Sequence, residues 1–182
     1  MDNSIDMASP IEVSGLSVNL QREWQFGSLR YFDAAGPFAA EVRGRLGGPL
    51  PKRLHAVTYP ADASRGELIL AWRSPTETLL LTADGAAFAA IAAGLANKPT
   101  GCLVDQSGGL WAWQVTGERT RDLLQRLGST ASIPVLGEAR VSRLAELPVM
   151  ALCVHEGQIL LLVERVYSEH LYGWMRATAA DF

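Results

Sequence analysis

The side chains best suited to nucleophilic, acid–base or metal chemistry are few. They are His55, His155 and His170, with Cys102 and Cys153. A metal site needs ligands at short repeated spacings, such as C-x-x-C or H-E-x-x-H, and neither pattern occurs. G-x-S-x-G and a Cys–His nucleophile signature are also absent. Gly44-Arg45-Leu46-Gly47-Gly48 follows a helical pattern instead of opening one, so it is no phosphate cradle. His55 opens a strand beside Arg53 and is expected at a surface or edge. His155 falls in a hairpin turn and is expected to be exposed. His170 lies one turn into the last helix with Trp174 at i+4, where packing or capping is the simpler role. The two cysteines sit in different strands and are expected as buried free thiols. No residue is assigned a catalytic, cofactor-binding or metal-ligating role.

Three further groups need weighing. Asp105 ends an apolar strand and is followed by Gln106-Ser107. It can bind a polar ligand group or a partner's backbone, or it can hold an Asx-turn, the commoner role. Arg73 and Arg165 stand at strand ends, where each can clamp a ligand or make a solvated or partner-facing ion pair. Trp111 and Trp113 share one strand face. That face is core by default and an interface patch by alternative.

The elements that position these residues are read from apolar periodicity and punctuation. The stretch from Cys102 to Gly128 predicts a strand (Cys102 to Gln106), a tight reversal at Gly108-Gly109 and a second strand (Leu110 to Val115). Thr116, or alternatively Gly117, then caps a helix from Glu118 to Leu127, with Leu123, Leu124 and Leu127 on one stripe and Gly128 as the stop. Before it, strands are predicted from Ser17 to Trp24 and Ser28 to Phe32, with Gly27 marking a turn. A helix from Phe38 to Leu46 follows Pro37. Strands run from Leu54 to Tyr59, Glu67 to Trp72 and Thr78 to Thr82. Asp84 caps an alanine-rich helix, Gly85 to Ala96, whose small residues suit close packing. After Gly128 come a strand (Ala139 to Leu144), a hairpin (Val149 to Val154 with Ile159 to Glu164) and a helix (Tyr167 to Ala180).

Both halves therefore have the same order: two strands, a helix, three strands, a helix. The expected fold is an α+β domain built as a pseudo-twofold duplication of that unit. A flexible tail over 1–15 precedes one domain over 16–182, with halves of about 16–98 and 99–182. Hairpin-linked strands favour antiparallel or mixed sheets over a doubly wound parallel one.

At 182 residues the chain can bury a substantial core. A net charge of −3 offers no electrostatic basis for binding nucleic acid or an anionic membrane. No apolar run approaches the ~20 residues of a membrane span. The N-terminus lacks the basic and apolar regions of a secretory signal, so a cytoplasmic location is expected.

Several of these motifs together resemble the γ subunit family of heterotetrameric sarcosine oxidase. They are Trp72 with Pro75-x-Glu77 and Leu79-Leu80-Leu81, Val104-Asp105-Gln106-Ser107, Thr116-Gly117 with Leu123-Leu124, and Glu164-Arg165-Val166-Tyr167. The resemblance covers most of Trp72 to Phe182, and more distantly it is similar to the aminomethyltransferase-type folate-binding domain. Ser74-Pro75-Thr76-Glu77-Thr78 departs from the family's Gly-Pro-Asp-Glu-Trp at three positions. The resemblance implies a folate-binding-domain-like fold and a non-catalytic assembly role, with α, β and δ subunits as partners. The complex would oxidatively demethylate sarcosine and pass the one-carbon unit to tetrahydrofolate. FAD, FMN, NAD and tetrahydrofolate would belong to the partner subunits. Sarcosine or another N-methyl amino acid remains open as the substrate, as does self-association of the isolated chain. Two other readings stand beside this one. A free-standing folate-dependent enzyme would need a carboxylate for the pterin, for which Asp105 and Glu77 are the candidates. A homodimeric interaction domain would need no ligand. The assembly reading predicts an exposed apolar patch on the isolated chain, since a docking face must be left uncovered.

Overall fold

The computed structural model describes residues 7, 9–63 and 65–182. Its contacts divide the chain into two compact units, Met1–Arg22 with Gly109–Leu136 and Arg140–Phe182, and Glu23–Gly108 with Gly137–Ala139. No described helix is long and apolar enough to cross a membrane.

The strands are β1 (Ile11–Val13), β2 (Leu16–Gln21), β3 (Gln25–Tyr31), β4 (Ala56–Tyr59), β5 (Leu68–Ser74), β6 (Glu77–Thr82), β7 (Gly101–Asp105), β8 (Leu110–Thr116), β9 (Glu138–Leu144), β10 (Leu147–His155) and β11 (Gln158–Glu164). The helices are α1 (Pro37–Leu46), α2 (Gly85–Leu95), α3 (Thr120–Leu127) and α4 (Ser168–Ala179). One sheet has the order β1-β2-β8-β11-β10-β9 and the other β4-β5-β6-β3-β7. The registered pairs are antiparallel throughout. The protein is thus α+β with two antiparallel sheets and four helices among the described residues.

In the first unit, α3 and α4 lie on one sheet face. Leu123, Leu124 and Leu127 join Leu171, Tyr172 and Met175 over Trp113, Val115, Leu161 and Val163. In the second, Phe38, Val42 and Leu46 of α1 and Phe88 and Leu95 of α2 pack with Leu29, Tyr31, Leu68, Leu70, Leu80 and Leu103. The opposite faces are buried as well, through Leu160 and Leu162 in one sheet and Ile69 and Leu79 in the other. Strands hidden on both sides need no polar alternation, which is why residues 79–81 of β6 and 159–163 of β11 read as unbroken apolar runs.

Several elements differ from the sequence expectation. The loose tail over 1–15 does not extend to Gly15, because Ile11–Val13 pairs with β2 and Ile11 is buried. A three-residue strand is too short to show periodicity; residues 1–6 and 8 of the expected tail lie outside the described residues. Gly27 does not turn the chain. It sits inside β3, where a Cβ would meet the Phe88 ring at 3.1 Å and Leu103 at 3.2 Å, so its bareness admits α2. The turn at Gly108-Gly109 forms, but it joins strands of different sheets instead of closing a hairpin, and neither glycine takes a positive φ. On α2, Phe88 and Leu95 are buried and Ala86, Ala89, Ala90 and Ala93 exposed, so large side chains make the contact.

The α3 boundary also moves. Thr116 remains in β8 and the helix begins at Thr120. Gly117 makes the corner with φ +108°, and a Cβ there would lie 2.3 Å from the Gly15 carbonyl oxygen. Gly117→Ala combines a left-handed backbone with a clash against main chain that cannot swing aside. It is expected to destabilise by roughly 2–3 kcal/mol in urea unfolding. Gly108→Ala, where a Cβ meets nothing within 4 Å, is the control, with a change under about 0.5 kcal/mol.

The Asp84 cap forms as expected. Its carboxylate accepts from the Ala87 N–H at 2.9 Å and the Gly66 N–H at 2.8 Å. Those backbone donors, Ala87 foremost, hold its pKa below the ordinary carboxylate range. A depressed folded pKa contributes stability above the unfolded value, which is lost as pH falls through the folded value. Asp84→Asn, measured by unfolding from neutral to strongly acidic pH, is expected to flatten that acid limb.

Candidate functional site

Two places expose chemistry. The first is the outer face of α4 and the single 3-10 turn before it, Arg165–Tyr167. Leu171, Tyr172, Met175 and Ala179 are spaced at i, i+1, i+4 and i+8 and fill the core. The opposite stripe carries Val166, His170, Gly173, Trp174 and Ala177, which with Glu169 line a groove of about 560 Å³. Val166 is 79% and Trp174 52% exposed. His170 Nε2 accepts from the Trp174 indole N–H at 3.1 Å, which braces the indole across the helix surface. An aromatic, apolar helix face open to water is the kind of surface a docking partner covers.

The second is a pocket of about 440 Å³ at one end of the β3-β6-β7 strands, lined by Arg30, Phe32, Thr76, Glu77, Gly101 and Cys102 among others. Register creates it. Arg30 stands directly opposite Glu77 on one side and Cys102 on the other. Glu77 is largely sheltered, its side chain 19% exposed. Its Oε1 accepts from the Ser28 hydroxyl at 2.5 Å and the Arg73 guanidinium at 3.1 Å. Arg30 donates through Nε to the Ser28 hydroxyl at 3.2 Å and stays 58% exposed. Phe32, one strand step further along, is 86% exposed.

The residues singled out from sequence fall in various places. Asp105 makes the Asx-turn, accepting from the Ser107 N–H at 2.8 Å. Arg73 turns to Glu77. Arg165 lies 5.2 Å from the Trp111 ring centroid and Arg22 5.6 Å from it, so that indole is flanked by two cations. Trp113 lies in the core. His55 is exposed, with Nδ1 2.8 Å from the Arg53 carbonyl. His155 is half-buried at the end of β10, less open than expected. Cys153 is buried as expected, but Cys102 is only half-buried and faces the pocket. No group of three or more His, Cys, Asp or Glu is arranged to hold a metal among the described residues. Arg30 and Phe32 escaped sequence reading because nothing local marks the residues at a strand's end as a pocket wall. The His170–Trp174 spacing was legible, but as packing or capping; Val166 and Ala177 were not read as part of that face.

No protein-family model and no curated protein matches the chain. Among solved structures, the chain is similar to a chain of the heterotetrameric sarcosine oxidase from Corynebacterium sp. U-96 in complex with pyrrole 2-carboxylate. The TM-score is 0.76 at 19% identity, over 97% of this chain and 90% of that one. The two share a fold. The glycine cleavage system aminomethyltransferase T from Bartonella henselae gives a TM-score of 0.64 at 12% identity. There the match covers 88% of this chain but 45% of the other, so this chain spans less than half of that enzyme. At such identities the likeness is one of fold, and it agrees with the resemblance read from the motifs.

Proposed function

We propose that this chain is the γ, assembly-type subunit of a sarcosine oxidase-like flavoenzyme complex, with no catalytic residue of its own. The α, β and δ subunits are its partners and hold the FAD, FMN, NAD and tetrahydrofolate. The complex oxidatively demethylates sarcosine and transfers the one-carbon unit to tetrahydrofolate. The observation that carries this reading is the fold likeness to a sarcosine oxidase chain over nearly the full length of both. The outer face of α4 supports it, because a subunit that works by docking must keep such a face uncovered when alone.

The strand order supports the duplication reading as well. With β1 set aside, β2-β8-β11-β10-β9 and β7-β3-β6-β5-β4 run in matching order. Each hairpin has an irregularity at the same place, between Trp72 and Ser74 and between Leu152 and His155. The two copies form one domain, each giving its first strand to the other copy's sheet. The location follows from the reading: a cytoplasmic complex of soluble chains.

Co-purification from the native host grown on sarcosine tests the proposal. The expected product is a yellow complex containing larger chains, with a flavin absorption spectrum. A colourless chain recovered alone at native expression would overturn it. Folate titration of that free chain would then test the aminomethyltransferase-like alternative.

A further inference from the structure

We infer that the pocket at the end of β3, β6 and β7 binds a small carboxylate carrying a flat apolar group. The inference goes beyond the assembly role and does not depend on it. The charge count of the cluster comes first. Arg30, Arg73 and Glu77 sum to +1. Glu77 Oε1 is already engaged by Ser28 and by Arg73 at 3.1 Å. Arg30 is held only through Nε, at 3.2 Å from Ser28 and 4.0 Å from Glu77. Its two terminal nitrogens have no partner among the described residues, and Arg30 lines the pocket. A planar guanidinium fork with both ends unused fits a carboxylate in two parallel hydrogen bonds. Asp33, the nearest further acid in sequence, is turned to the Ala35 N–H at 2.8 Å and is not part of the lining.

The rest of the pocket selects what the carboxylate is attached to. Phe32 is 86% exposed beside it, with no core contact to explain a ring in water. Stacking a flat group on that ring removes apolar surface from both partners. Cys102 and Gly101, at the start of β7, also line the pocket. Gly101 must stay bare, since a Cβ there would meet the Phe38 ring at 2.4 Å and the Arg30 carbonyl oxygen at 2.5 Å. The volume of about 440 Å³ lies within the ~300–1,000 Å³ usual for small-molecule sites.

Benzoate is the probe. Titrated into the 15N-labelled full chain, it is expected to shift the amides of Arg30, Phe32, Glu77 and Cys102 saturably, with a Kd on the order of 1 mM. Arg30→Gln is expected to weaken binding at least about tenfold and Phe32→Ala about threefold. Both side chains are exposed, so the variants should keep the parent's melting temperature; a shift map unchanged away from the pocket confirms the fold. Benzyl alcohol, which lacks the charge, and inorganic phosphate, which lacks the ring, are expected to bind at least about fivefold more weakly than benzoate. Absence of saturable shifts at these amides would overturn the inference. So would equal binding of benzyl alcohol, equal or tighter binding of phosphate, or a Kd insensitive to Arg30→Gln in a folded variant.

Discussion

Trp113→Ala is expected to destabilise the chain by about 4 kcal/mol, the largest effect of any single change considered. Trp113 is fully buried on β8 between β2 and β11, opposite Leu20 and Leu161. Its indole stacks on Tyr172 with centroids 5.1 Å apart and planes 27° apart, and its N–H donates to the Ser168 hydroxyl at 2.9 Å. Ser168 is the first residue of α4 and is itself buried. Truncation leaves a cavity of ring size at the seam between sheet and helix, and it orphans a buried hydroxyl. Trp113→Phe refills most of the volume and loses only the hydrogen bond, so a cost of roughly 1–2 kcal/mol is expected. Urea unfolding followed by far-UV dichroism measures both. A cost below about 1 kcal/mol for alanine would mean that this seam is not where the unit is held together.

The second large effect is on association. Val166→Asp with Trp174→Asp places two charges on the outer face of α4 and, under the proposed assembly role, is expected to weaken docking to the larger chains by at least about 2 kcal/mol, some 30-fold. Both side chains are more exposed than buried, so the isolated chain's melting temperature should move by only a few degrees. Subunit retention on a size-exclusion column, compared with parent, reads the result. Full retention with the doubly substituted chain would place the docking surface elsewhere. Trp174→Phe separates ring burial from the His170 bond: it keeps an aromatic anchor, removes the N–H that holds His170 and should retain most of the affinity.

Much of the local structure was legible in the chain. Pro37 opening α1, Asp84 capping α2 and the leucine stripe of α3 are signals carried within one turn of backbone. The hairpins β5–β6 and β10–β11 follow from apolar runs separated by a short polar break. The absence of metal and nucleophile motifs needed no fold, only spacing.

The tertiary structure decided which strands meet. A backbone ladder has little sequence preference for its partner, so nothing in Leu16–Gln21 or Gly101–Asp105 announces that each pairs with the other half's strand. That pairing turned the expected reversal at Gly108-Gly109 into a crossing between sheets, and it put Gly27 inside a strand. It also made the pocket. Arg30, Glu77 and Cys102 are far apart in sequence and become neighbours only through the registers of β3 with β6 and β7. The outer face of α4 was decided in the same way. Sequence shows a helix with apolar residues on more than one side, and only the packed core reveals which of those sides is left over. Local geometry is set by forces that act over a few residues, whereas a pocket or a docking face is a property of what remains uncovered after the whole chain has paired.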